Sequence, residues 1–127
     1  MDHHQINPES IQNDLVGGII SEKDALELLV SLVTYSKDAK IRSQCLEIIG
    51  GLNVLDEKRF IILETFLISD TDQLVRLKAA KILSFNFPKK GVRALKNALN
   101  KDPSPLVVNF ISNLFKDFKD IYFKRDE

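Results

Sequence analysis

The segment Asp38-x-x-Ile41-Arg42-x-x-Cys45-Leu46-x-x-Ile49 returns 34 residues later as Asp72-x-x-Val75-Arg76-x-x-Ala79-Ala80-x-x-Leu83. Self-similarity at a period of about 20–50 residues marks a chain built from stacked units, each too small to bury its own apolar face alone. A second register repeats alongside the first. Leu26, Phe60 and Val92 correspond, as do Leu29, Leu63 and Leu95, then Val33, Leu67 and Leu99, at offsets of 34 and 32 residues. Ile11 and Leu15 stand 34 residues before Cys45 and Ile49, which brings the first helix into the series. Two helical registers that repeat together point to an all-α fold of helix pairs stacked as a solenoid.

Apolar spacing and capping residues predict seven helices joined by short loops, with no sustained strand alternation. Met1 to Ile6 is a polar arm, and Asn7-Pro8-Glu9 opens the first helix, which Gly17-Gly18 stops. Ser21 to Asp24 resembles a capping box for the second. Ser36 to Asp38 turns the chain into the third helix, which ends at Gly50-Gly51. Asp56 is read as the cap of the fourth, with an apolar face of Phe60, Leu63 and Leu67 broadened by Ile61, Ile62 and Phe66. Ser69 to Asp72 leads into the fifth, Pro88 is read as opening the sixth, and Lys101 to Pro105 precedes the seventh. The resulting boundaries are an arm over 1–7 and one domain over 8–127. Its units run 8–35, 38–68 and 72–100, followed by a terminal helix over 105–123.

The formal net charge is zero, which argues against global polyelectrolyte behaviour, but the charge is unevenly placed. Residues 1–64 carry 6 Lys/Arg against 11 Asp/Glu, and residues 65–127 carry 12 against 7. In a stack of repeats, order in sequence is also order in space, so the molecule is expected to be acidic at one end and basic at the other. A single cysteine excludes an intramolecular disulfide and a cysteine-based metal cluster. No signal-peptide pattern and no apolar run of membrane-spanning length is present. The expectation is a cytoplasmic protein with no membrane partner and no cofactor.

The motifs at Asp38 to Gly51 and Asp72 to Leu83 have a degenerate copy, Asp102-x-Ser104-x-x-Val107-Val108-x-x-Ile111-x-x-x-Phe115. Together they resemble short HEAT repeats, above all the compact kind of the bilin-lyase-like proteins, over residues 8–118. The resemblance implies a short right-handed, armadillo-like α-solenoid of about three helix pairs plus a terminal helix. First helices would form an outer layer, and second helices an inner layer that presents a concave recognition surface. It also implies a protein–protein interaction scaffold, although such repeats serve many partners. Val108 replaces the repeat arginine, so a polar tie is missing in the last unit. Iron-dependent hydroxylases built on HEAT-like repeats carry His-Glu pairs on successive repeats, and this chain has none.

Arg42 and Arg76 are expected to pair with Asp38, Asp70 or Asp72 of the turns and tie neighbouring units. His3 and His4 lie in the arm without the further converging ligands that a metal needs. Cys45, which aligns with Ala79, reads as small, buried and inert. The glycine pairs lack the spacing of phosphate-binding loops. No catalytic set is recognisable, so the chain is read as non-enzymatic.

Lys89, Arg93 and Lys96, with Lys90, are read as lining one face of the helix opened by Pro88, with Lys101, Lys78 and Lys81 enlarging the positive region. Matching stretches of the earlier second helices carry Glu22, Asp24, Glu27, Glu57 and Glu64, so that surface grades from acidic to basic. The leading expectation is a scaffold that docks an acidic peptide or protein there. Nucleic-acid binding through the basic half and an accessory tetrapyrrole-related role are the alternatives. Phe118, Tyr122 and Phe123 of the aromatic last helix are the candidate contact for weak self-association.

Overall fold

In the computed structural model the backbone is described for residues 6–123 and the side chains for residues 6–117. Among these residues the chain forms seven α-helices and no strand: α1 (Pro8–Val16), α2 (Glu22–Tyr35), α3 (Ala39–Gly51), α4 (Asp56–Ser69), α5 (Gln73–Asn86), α6 (Val92–Lys101) and α7 (Pro105–Phe123). None of them is long and apolar enough to cross a membrane.

Most helix starts follow from the capping residues. The Asn7 side chain accepts from the Ser10 N–H at 2.8 Å while the Asn7 N–H donates to Ser10 Oγ at 3.1 Å, a reciprocal box ahead of Pro8. Ser21 Oγ accepts from the Asp24 N–H at 3.0 Å. The repeat aspartates act as equivalent caps: Asp38 Oδ1 accepts from the Lys40 N–H at 2.9 Å and Asp72 Oδ1 from the Leu74 N–H at 2.7 Å. Each satisfies an amide that a helix start leaves bare.

Two helix starts differ from the sequence reading. α4 is capped by Leu55, in the left-handed region at φ 51°, and Asp56 is its first helical residue. The Asp56 carboxylate accepts from Arg59 Nη2 at 2.6 Å instead of capping the backbone. α6 starts at Val92, not at Pro88. Phe87 to Gly91 close a separate turn, in which the Gly91 N–H donates to the Phe87 carbonyl at 2.8 Å. A Cβ on Gly91 would stand 2.8 Å from that same oxygen, so the turn requires glycine. The turn is anchored by the buried Phe87 ring, packed edge-on to Phe60 at 5.7 Å between centroids.

The odd-numbered helices pack in series, α1 on α3, α3 on α5 and α5 on α7. Each even-numbered helix packs against the odd helices before and after it, and α4 also touches α6. The core follows the two repeating registers: Leu26, Leu29 and Val33 of α2, Cys45, Leu46 and Ile49 of α3, Leu63 and Leu67 of α4. Val75, Ala79, Ala80 and Leu83 of α5, Leu95 of α6, and Val107 and Ile111 of α7 continue it. α5 is flanked by α3, α4, α6 and α7, and its paired alanines let those neighbours approach. The α3–α5 crossing is close enough that a Cβ on Gly50 would stand 2.5 Å from Ile82 Cγ2. The broad apolar face of α4 does not all reach the core. Ile62 and Phe66 pack against it, while Ile61 is 51% exposed.

Candidate docking surface

The repeat arginines build one interaction twice. Arg42 Nε and Nη2 donate to Asp70 Oδ2 and Oδ1 at 2.8 and 3.0 Å, and Nη1 donates to the Ser36 carbonyl at 3.1 Å. One unit on, Arg76 Nε and Nη2 donate to Asp102 Oδ2 and Oδ1 at 2.9 and 3.2 Å, and Nη1 donates to the Asp70 carbonyl at 2.9 Å. Each aspartate also turns its own loop: Asp70 Oδ1 accepts from the Asp72 N–H and Asp102 Oδ1 from the Ser104 N–H, both at 2.9 Å. Ser36 Oγ does the same for the Asp38 N–H at 3.2 Å. The arginines therefore join a helix of one unit to the loop that opens the next. Arg42 meets Asp70, one of its three expected partners. Arg76 meets Asp102, which the sequence reading did not offer it. Hydrogen bonding to Asp70 raises the Arg42 pKa, against the opposing effect of burial.

Both ends of this ladder are blank. Position 8, one repeat before Arg42, is proline, and the loop after that unit carries neutral Ser36 where later loops carry aspartate. Val108 ends the series at the other side. At the first unit acid and base are absent together, so no nearly buried carboxylate is left there without its guanidinium.

Arg59 is a structural residue that the sequence reading missed. It is only 5% exposed. Its guanidinium donates to the Val54 carbonyl at 2.7 Å and to the Ile49 and Gly50 carbonyls at 3.1 and 3.3 Å, and lies 5.4 Å from the Phe87 ring centroid. Asn86 Nδ2 also donates to the Gly50 carbonyl at 2.9 Å. These groups satisfy the bare carbonyls at the C-terminus of α3 and place positive charge at the negative end of its dipole. The Gly50-Gly51 stop announces those carbonyls in the sequence, but nothing local names the arginine that reaches them.

The predicted basic residues separate into two groups. Lys90 is tied down: its ammonium pairs with Glu57 and sits 5.1 Å from the Phe60 ring centroid. Lys78 pairs with Glu47, and Lys81 lies over the Phe110 ring at 5.9 Å. Lys101 lines a cavity of about 380 Å³ beside Asp70, Arg76 and Asp102. Lys89, Arg93 and Lys96 are exposed and, like Lys81 and Lys101, have no ion-pair partner among the described residues. Arg93 and Lys96 lie on α6 and Lys89 in the turn before it, so the four lysines and arginines do not form one helical stripe. α6 has no side-chain cap and no acid in its first turn, which leaves the positive end of its dipole beside Lys89 and Arg93.

Phe118, Tyr122 and Phe123 fall in the last turns of α7, and their side chains lie outside the described residues, as do His3 and His4. Cys45 is fully buried, and burial pushes its thiol up to about 11. The larger concavity is not on the even-numbered helices. It measures about 640 Å³ and lies between α1 and α3, where Asn7, Gln12, Asn13 and Gln44 surround Ile41 and Ile48. Set against protein families, characterised proteins and solved structures, the chain matches none.

Proposed function

We propose that this chain is a short right-handed HEAT-like α-solenoid that works as a non-enzymatic interaction scaffold, docking an acidic protein segment on Lys89, Arg93 and Lys96. The serial packing of α1, α3, α5 and α7 and the twice-used arginine tie support the architecture. One observation carries the function. Arg42, Arg59, Arg76, Lys78 and Lys90 are committed to internal pairs, whereas Lys89, Arg93 and Lys96, close in sequence across the start of α6, are exposed and unpaired among the described residues. Exposed like charges repel one another and add nothing to folding, so their clustering suits an acidic partner.

The test is fluorescence anisotropy with a labelled glutamate-rich peptide and a single-stranded oligonucleotide of equal charge, against the wild type and Arg93→Glu/Lys96→Glu. The peptide should bind, and the double variant should bind it at least about tenfold more weakly at an unchanged melting temperature. Equal affinity for wild type and variant would remove the reading. Preference for the oligonucleotide, weakening steeply with salt, would replace it with nucleic-acid binding.

A further inference from the structure

Beside the Arg76–Asp102 pair lies the cavity of about 380 Å³, between the C-terminal turns of α4 and α6. Its apolar wall is Leu67, Ile68, Ala98 and Pro103, and Ile68 is 64% exposed. The two carboxylates in its lining are spent. Asp70 takes the Arg42 fork and the Asp72 N–H, and Asp102 takes the Arg76 fork and the Ser104 N–H. Each acid is matched by one guanidinium, so Lys101, without an ion-pair partner among the described residues, is the uncompensated charge of the lining. Arg76 also keeps N–H groups beyond the three bonds it makes to Asp102 and the Asp70 carbonyl. The repeat shows that the arginine pair does not by itself create this site. Beside Arg42–Asp70, Phe66 stands at the position of Ala98, Thr34 at that of Ile68 and Ser69 at that of Lys101. Phe66 packs against the core, and the Thr34 and Ser69 hydroxyls donate to carbonyls of their own helices at 2.6 and 2.7 Å. The same fork therefore stands beside a bulky ring and two satisfied hydroxyls in one unit, and beside a methyl group, a bare isoleucine and a free ammonium in the next.

We propose that this cavity anchors the acidic segment docked on α6, taking one large apolar side chain of that segment against Ile68 and Ala98 and a neighbouring carboxylate on Lys101. The proposal rests on the reading of α6 as a docking surface, and it names what the partner carries besides its acids. Continuity of the surface argues for it. Arg93, Asn97 and Lys101 are exposed and follow at intervals of four, so they share one side of α6 and lead from its basic start to the cavity, over a rise of about 12 Å. Charge argues for it as well. The lining ends one positive charge ahead, and a free ammonium beside a guanidinium takes a carboxylate. A bare anion would leave the apolar wall wet, and an uncharged apolar ligand would leave Lys101 unpaired. An apolar side chain with a carboxylate next to it uses both, as an anchor seated in a pocket with charge at its rim. The acids of α4 do not interfere at this end. Glu57 is held by Lys90 at the other end of the helix, and Glu64, half-buried and outside the lining, stands at the repeat position of Lys96, more than a turn before that of Lys101.

The test is fluorescence anisotropy with two labelled peptides of equal charge, a glutamate-rich peptide with one central leucine and the same peptide with serine in its place. Wild type should bind the leucine peptide at least about tenfold more tightly than the serine peptide. Ile68→Thr/Lys101→Ser copies the residues found beside Arg42–Asp70 and should remove the leucine advantage at an unchanged melting temperature. Ala98→Phe, which copies Phe66, should remove it by filling the cavity. Should Ala98→Phe lower the melting temperature, the double variant, whose two sites are exposed, decides. Equal affinity of the wild type for the two peptides, or a leucine advantage that survives Ile68→Thr/Lys101→Ser, would overturn the anchor. Equal affinities that both fall in Arg93→Glu/Lys96→Glu would overturn the anchor alone and leave the α6 reading in place. Binding of neither peptide would remove both.

Discussion

Arg59 shows what a single buried side chain can hold. Its guanidinium closes the end of α3 by taking carbonyls from Ile49, Gly50 and Val54, contacts that only a planar fork can make together. Arg59→Met should therefore cost about 2–4 kcal/mol in urea denaturation, and Arg59→Lys should recover little of it. Recovery by lysine would mean that charge, and not the fork, is what matters. Cys45 gives a prediction in pH. Its pKa lies above the ordinary thiol value of 9.0, at about 11 when folded, because burial disfavours the thiolate. The unfolded chain therefore loses this proton first as the pH rises. The stability this adds is present below pH 9 and is lost between 9 and 11. Thermal melts of wild type and Cys45→Ala across that range should differ in slope by this one group. Cys45 was legible as a core residue because it aligns with Ala79. Arg59 was not, because the α3 carbonyls it reaches lie nine and ten residues before it and become neighbours only once α3 ends.

At the level of elements, the repeat made most helices legible and missed two starts for local reasons. Asp38 and Asp72 cap as their positions suggest, but Asp56 is drawn away by Arg59, and the cap falls to a left-handed Leu55. Pro88 is compatible with a helix start in isolation. The buried Phe87 ring beside Phe60, together with Gly91, makes it part of a turn instead, so Lys89 and Lys90 leave the stripe that spacing alone assigned to them. The α3–α5 crossing supplies the sharpest structural prediction. A side chain at Gly50 would meet Ile82 Cγ2 at 2.5 Å, so Gly50→Ala should destabilise the fold by about 1–3 kcal/mol by overpacking, and Gly50→Ala/Ile82→Leu, which removes that methyl branch, should recover part of that loss. The same substitution at Gly51, which has open space around it, should leave packing undisturbed.

For the whole molecule, the 34-residue period and the excess of acid in one half and base in the other were readable from the sequence alone. Which helices carry the cavity of about 640 Å³ was not, because the period is silent on how α1 sits against α3. Apolar packing of α3 and α4 on α5 joins successive units, and two rungs, Arg42–Asp70 and Arg76–Asp102, add a polar tie at the loops. The decisive measurement is a double-mutant cycle on Arg76 and Asp102 by urea denaturation, with Arg76→Met, Asp102→Asn and the pair. The carboxylate is 5% exposed and held by two parallel hydrogen bonds. Each single change should therefore cost about 3 kcal/mol, and the coupling energy should be about 2 kcal/mol. Additive costs, with coupling within about 0.3 kcal/mol of zero, would contradict a stack whose units are joined by these arginines.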